Sequence, residues 1–118
     1  MKKKTVKKVS KKNINLNEIE VAIKTLKMMG YKTTSPRNKN SNGVDIFAIK
    51  IDKALSVEIK KASYPNKNSE VLRVRRVEVN RKKDDLIAIV LPNGYCLVEP
   101  MRDHLKCCNG QGDRFLNY

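Results

Sequence analysis

Ile19, Ala22, Ile23, Leu26 and Met29 recur at intervals of three and four residues, the spacing of one helix face. Asn15 stands where an N-cap belongs, Glu18 follows three residues later as in a capping box, and Gly30 supplies a stop. The pattern predicts a first helix over about residues 16–29. The period then shortens. Tyr31 to Thr34 reads as a short strand, and residues 35–43, SPRNKNSNG, read as a loop. Residues 44–51 form a β-rich run, apolar on both faces apart from its ends. Asp52-Lys53 makes a tight connection, and Ala54 to Lys60 is the next strand. A loop follows over residues 64–69. Residues 71–85, VLRVRRVEVNRKKDD, read two ways: the valines suit a strand, and 75–85 suits a short basic helix. Residues 86–91, LIAIVL, are apolar without a break, as expected of a central strand. Pro92-Asn-Gly94 predicts a hairpin turn and Tyr95 to Val98 the returning strand. Pro100 opens a last helix reaching about Cys108, closed by Asn109-Gly110. The tail carries little pattern, although Phe115 and Leu116 are apolar enough to dock on the body. This order of elements predicts one sheet flanked by helices, an α/β or α+β sandwich.

Composition changes this picture mainly through charge. The chain has 118 residues, enough for one domain with a core of its own. No apolar run approaches the roughly 18 residues of a membrane span, so no membrane role is expected. Lys and Arg number 26 against 12 Asp and Glu, a formal charge of +14. The first twelve residues, MKKKTVKKVSKK, hold seven lysines and no acid, and read as a self-repelling disordered arm before a single domain over 13–118. That domain keeps 19 basic residues against 12 acids, about +7. A polyanion is the natural partner of both parts, and nucleic acid is the commonest. The arm lacks the apolar stretch of a signal peptide. Cys96, Cys107 and Cys108 are odd in number and suggest no disulfide framework. Both facts fit a cytoplasmic, intracellular protein.

Candidate chemistry falls on two consecutive strands. Glu58 and Lys60 are two residues apart, so their side chains leave one face of the sheet together, with Ser56; Leu55, Val57 and Ile59 take the other, buried face. A tight turn at 52–53 makes the two strands antiparallel, and the start of the first, at Asp45, then approaches Glu58. Two carboxylates beside an ammonium suit phosphodiester hydrolysis. Carboxylates hold Mg²⁺ (or Mn²⁺), the ion polarises a phosphate and acidifies a bound water, and Lys60 orients that water or stabilises developing charge.

Gly43-Val-Asp45 followed by Val57-Glu-Ile-Lys60 resembles the hallmark of the PD-(D/E)XK nuclease superfamily, an Asp on one strand and (Asp/Glu)-x-Lys on the next. Val44 stands where the family name has Pro. The resemblance spans roughly residues 15–100 and implies a restriction-endonuclease-like αβββαβ core, with a mixed sheet flanked by helices. It implies a Mg²⁺-dependent endodeoxyribonuclease, with Asp45 and Glu58 as metal ligands and Lys60 as the catalytic lysine. Relatives also use a helix-one Glu, here Glu18 or Glu20, and the sequence does not choose between them. The small basic chain looks most like Holliday junction resolvases, which implies structure-selective cleavage. Homing and restriction endonucleases of the same fold are the alternative, and a non-catalytic basic nucleic-acid-binding module is the rival of a different class. One active site cuts one strand, so a homodimer or higher homo-oligomer is expected on duplex or branched DNA.

Other residues are read through the same partner. Lys61, Arg73, Arg75, Arg76, Arg81, Lys82 and Lys83 follow the site closely and are candidates to track phosphates. Arg37 and Lys39, in the loop before Asp45, are candidates to enter a groove. Asp84 and Asp85 suit a turn before the central strand better than a metal. His104, Cys107 and Cys108 share helical spacing, but without a further ligand cluster they read as a packed helix face rather than a zinc site.

Overall fold

The computed structural model describes residues 18–34, 46–110 and 112–117. The chain is helical over residues 18–28 (α1), then forms β1 (Lys32–Thr33), β2 (Ile46–Lys50), β3 (Lys53–Ser63) and β4 (Val71–Val74). A single 3₁₀ turn (Val79–Arg81) leads to β5 (Leu86–Val90), β6 (Cys96–Pro100), α2 (Met101–Lys106) and β7 (Arg114–Asn117). The seven strands form one sheet. It is mixed: β3 runs parallel to β5, and the other pairings are antiparallel. The expected α+β class, a mixed sheet with flanking helices, is what the chain adopts.

β3 organises the molecule. Its first half pairs with β2, its middle with β5, and its last two residues with β4. Because side chains alternate along a strand, β3 and β5 feed two separate cores. Val57, Leu86 and Ala88 pack with Ile46, Ala48 and, from α1, Ala22 and Leu26. On the other face Ile87 and Ile89 pack with Ala62, Leu72, Val74 and Val77, under Met101 and Leu105 of α2. β5 is buried along its whole length, as its unbroken apolar run requires.

Several expectations shift. α1 ends in a Schellman motif. Gly30, at φ 97°, donates to the Lys27 carbonyl and Tyr31 to that of Leu26, at 3.0 Å each. Met29 is thereby turned outward and stays 44% exposed, although its spacing placed it on the apolar face. The turn between β2 and β3 is Ile51-Asp52, one residue earlier than expected, and sets the register Ile46↔Val57. The basic helix entertained for 75–85 shrinks to the 3₁₀ turn. The valines of residues 71–79 favour extended backbone, and β4 takes the first two, Val71 and Val74, ahead of that segment. The tail is more than a docked end: β7 pairs with β4 along its whole length, and Leu116 packs against the second core. The lysine arm 1–12 and the N-cap at Asn15 lie outside the described residues. Among those residues, no helix is long and apolar enough to cross a membrane.

Candidate active site

Glu58 and Lys60 project from the middle of β3 on the face that carries Ile87 and Ile89, their strand partners in β5. The sequence had reserved burial for the opposite face. In the structure both faces are covered, and Glu58 is only 7% exposed. A buried carboxylate needs a compensating charge, and the 3₁₀ turn supplies it: Arg81 donates from its guanidinium to Glu58 Oε1 at 2.6 Å. Lys60, one pleat further on, is half-buried.

Across the sheet the row Glu58–Ile87 continues to Glu99 on β6. Two strand spacings place the Glu58 and Glu99 backbones about 10 Å apart. Glu99 pairs with Arg114 of β7, and Arg114 also donates to Nδ1 of His104 on α2, at 3.1 Å. Accepting at Nδ1 fixes the tautomer, so the ring proton sits on Nε2, 3.6 Å from Cys108 Sγ. The His104 side chain is fully buried. Burial lowers its pKa, Arg114 and the Lys60 ammonium lower it further, and Glu99 pulls the other way. His104 is therefore a neutral packed histidine of the helix face, as its spacing suggested. Cys108 is raised by burial first, and Cys96, also by burial, is pushed up to about 11 against a hydrogen bond from Thr25. These two thiols are not activated nucleophiles.

Asp85 does serve the turn before the central strand. Its Oδ2 accepts from the Ser56 amide at 2.9 Å and the Ser56 hydroxyl at 3.1 Å, while its own amide donates to Ser56 Oγ at 2.9 Å. Its carbonyl accepts from Met101 N–H at 2.9 Å. Asp85 thus ties β3, at Ser56 two positions before Glu58, to the starts of β5 and α2.

The other candidates fall as follows. Asp45, Arg37 and Lys39 lie outside the described residues. Glu18 is half-buried at the first described turn of α1, and Glu20 is exposed. Lys61 is exposed and alternates away from Glu58. Arg73, on β4, is half-buried, and its Nε is buried without a hydrogen-bond partner. Arg75, Arg76, Lys82 and Lys83 are exposed on the connection from β4 to β5. Of the described basic candidates, Arg81 reaches into the site, as a counterion of Glu58. Glu99 and Arg114 were not singled out from the sequence. Glu99 is one polar position in a strand ending at Pro100, and only the β5–β6 register aligns it with Glu58. Among the described residues, no three His, Cys, Asp or Glu side chains gather as a metal cluster.

No protein-family model matches the sequence, and no curated protein does either. The fold has a solved counterpart. The chain is similar to the bacterial homing endonuclease I-Ssp6803I with a TM-score of 0.68 at 16% identity, over 86% of this chain and 70% of that one. At that identity the likeness is one of fold.

Proposed function

We propose that the chain is a Mg²⁺-dependent endodeoxyribonuclease that cuts duplex DNA at a specific site. The observation that carries the proposal is Glu58, a carboxylate buried on β3 two residues before Lys60 on the same face. The register adds support. Val57, the residue before Glu58, lies opposite Ile46, the residue after Asp45. The donor set suits a hard divalent ion, since carboxylate oxygens are what Mg²⁺ prefers. In this reading Asp45 and Glu58 hold the ion. When bound, it supplies polarisation of the scissile phosphate and a more acidic water.

The chain's own groups do the rest. Lys60, an ammonium beside the acids, orients a water or offsets charge gathering on the phosphate. The exposed Arg75, Arg76, Lys82 and Lys83 hold the backbone of the duplex. The fold likeness to a homing endonuclease favours a site-specific duplex over a four-way junction. One active site per chain favours a homodimer or higher oligomer, which would let both strands be cut. A second reading has its own observation. Arg81 already sits on Glu58 Oε1, as expected if the acid is structural and the protein only binds nucleic acid.

A panel containing supercoiled plasmid, a random-sequence duplex library and a four-way junction separates these readings. Mg²⁺-dependent cleavage at one recurrent duplex sequence is expected, lowered by 10² or more in Lys60→Ala, of the order lost when a positioned charge or proton-transfer group is removed. Cleavage confined to the junction would overturn the choice of substrate. Salt-sensitive binding with no cleavage of any substrate would leave the binding module.

A further inference from the structure

The ion pair at Glu58 and the construction of the segment that supplies it point to a device beyond the active-site assignment. Arg81 closes the 3₁₀ turn, which local backbone hydrogen bonds hold: Arg81 N–H to the Glu78 carbonyl at 2.8 Å, Lys82 N–H to that of Val79 at 3.3 Å, and Asp84 N–H to that of Arg81 at 3.1 Å. None of the turn's residues is buried. Val79 and Lys82 line a cleft of about 580 Å³ against Leu105 of α2 and Cys108 just past its end, so the turn has room to shift. Segments with few buried contacts move at low cost. Arg81 therefore joins an acid with a 9% exposed side chain to a basic turn with no buried residue of its own, and its own side chain is 21% exposed.

We infer that Arg81 is a substrate-exchanged guard of Glu58. In the free protein its guanidinium neutralises the buried carboxylate. A dication arriving there meets a positive group already in place, so metal affinity is low. A guanidinium binds phosphate as readily as carboxylate, through the same fork of donors. A duplex lying on Arg76 and Lys82 brings phosphates within reach of the partly exposed Arg81, draws it off Glu58 and opens the carboxylate to the ion. Metal and duplex then favour one another, and linkage requires the factor to be the same in both directions. The chain is thereby kept from loading metal away from DNA. This inference rests on the metal-site reading above.

The test uses the full chain with two probes: Mn²⁺ alone, followed by paramagnetic resonance of the free ion, and a phosphorothioate duplex that resists hydrolysis, followed by fluorescence anisotropy at fixed ionic strength. For the wild type, Mn²⁺ is expected to raise duplex affinity by about fivefold or more. Arg81→Gln, free of DNA, is expected to bind Mn²⁺ at least about fivefold more tightly than the wild type and to lose most of the effect of Mn²⁺ on duplex affinity. Arg81→Lys, which keeps the charge, should retain part of it. A thermal melt of each variant confirms that it is folded. Equal Mn²⁺ affinity in free wild type and Arg81→Gln, with binding in both abolished by Glu58→Gln, overturns the guard and leaves the metal site standing. No Mn²⁺ binding dependent on Glu58, with or without duplex, overturns both.

Discussion

Glu58 and His104 show how single residues are matched to a buried polar face. Glu58 is paired with the Arg81 guanidinium, whereas His104 is kept neutral. Arg114 donates to its Nδ1, and its own N–H is turned to Cys108. A base whose pKa lies below its ordinary value in the folded state, here by burial first and then by Arg114 and Lys60, binds fewer protons than in the unfolded chain. Its stabilising contribution is complete above about pH 6.5, the unfolded value, and declines as pH falls towards the folded value. The melting temperature is therefore expected to fall between pH 7 and pH 5, and His104→Gln should flatten that part of the curve. A melting temperature independent of pH in this window would contradict the neutral assignment. The Arg81–Glu58 pair was not legible in the sequence. The two residues are 23 apart, and they meet only because the β3–β5 crossover brings its 3₁₀ turn back over the face of β3. In the linear chain Arg81 is one more member of a basic run.

At the scale of elements, the turn at Ile51-Asp52 and the end of α1 make the same demand, a positive φ, and meet it with opposite kinds of residue. Gly30 adopts φ 97° as a glycine can, but Ile51 is held at φ 61°, where a β-branched side chain is strained, and it is 94% exposed. Ile51→Gly should raise stability by about 1 kcal/mol and Gly30→Ala should lower it by about 1 kcal/mol or more, read by urea denaturation. Opposite signs would refute this account of the turn. The contrast also shows what a sequence can reveal. Local codes were legible: the apolar period of α1, its Gly30 stop, the Pro92-Asn-Gly94 turn, and the buried run of β5. The displaced β2–β3 turn was not, because an exposed Ile in a left-handed conformation breaks the rule that turn residues follow. Nor was β7, whose alternation of Arg114, Phe115, Leu116 and Asn117 acquires meaning only when β4 offers it an edge. Of the candidate site, the shared face of Glu58 and Lys60 was legible, since it depends only on strand period. That this face would be buried was not, since the cover comes from α2 and the crossover.

Over the whole molecule, a chain of net charge +14 places one of its few acids in the interior of a sheet, between two cores packed on opposite faces. Basic residues occupy the exposed connection beside it, and Arg81 and Arg114 turn inward as counterions of Glu58 and Glu99. Charge alone supports binding to any polyanion; the placement of Glu58 two residues before Lys60 supports cutting. The most direct measurement is nicking of supercoiled plasmid carrying the preferred sequence, by wild type and Glu58→Gln, in Mg²⁺ and in EDTA. Cleavage by the wild type in Mg²⁺ is expected, none in EDTA, and a loss of at least about 10² in rate for Glu58→Gln, with duplex binding retained. Cleavage by Glu58→Gln at the wild-type rate, or by the wild type in EDTA, would contradict the metal-site reading.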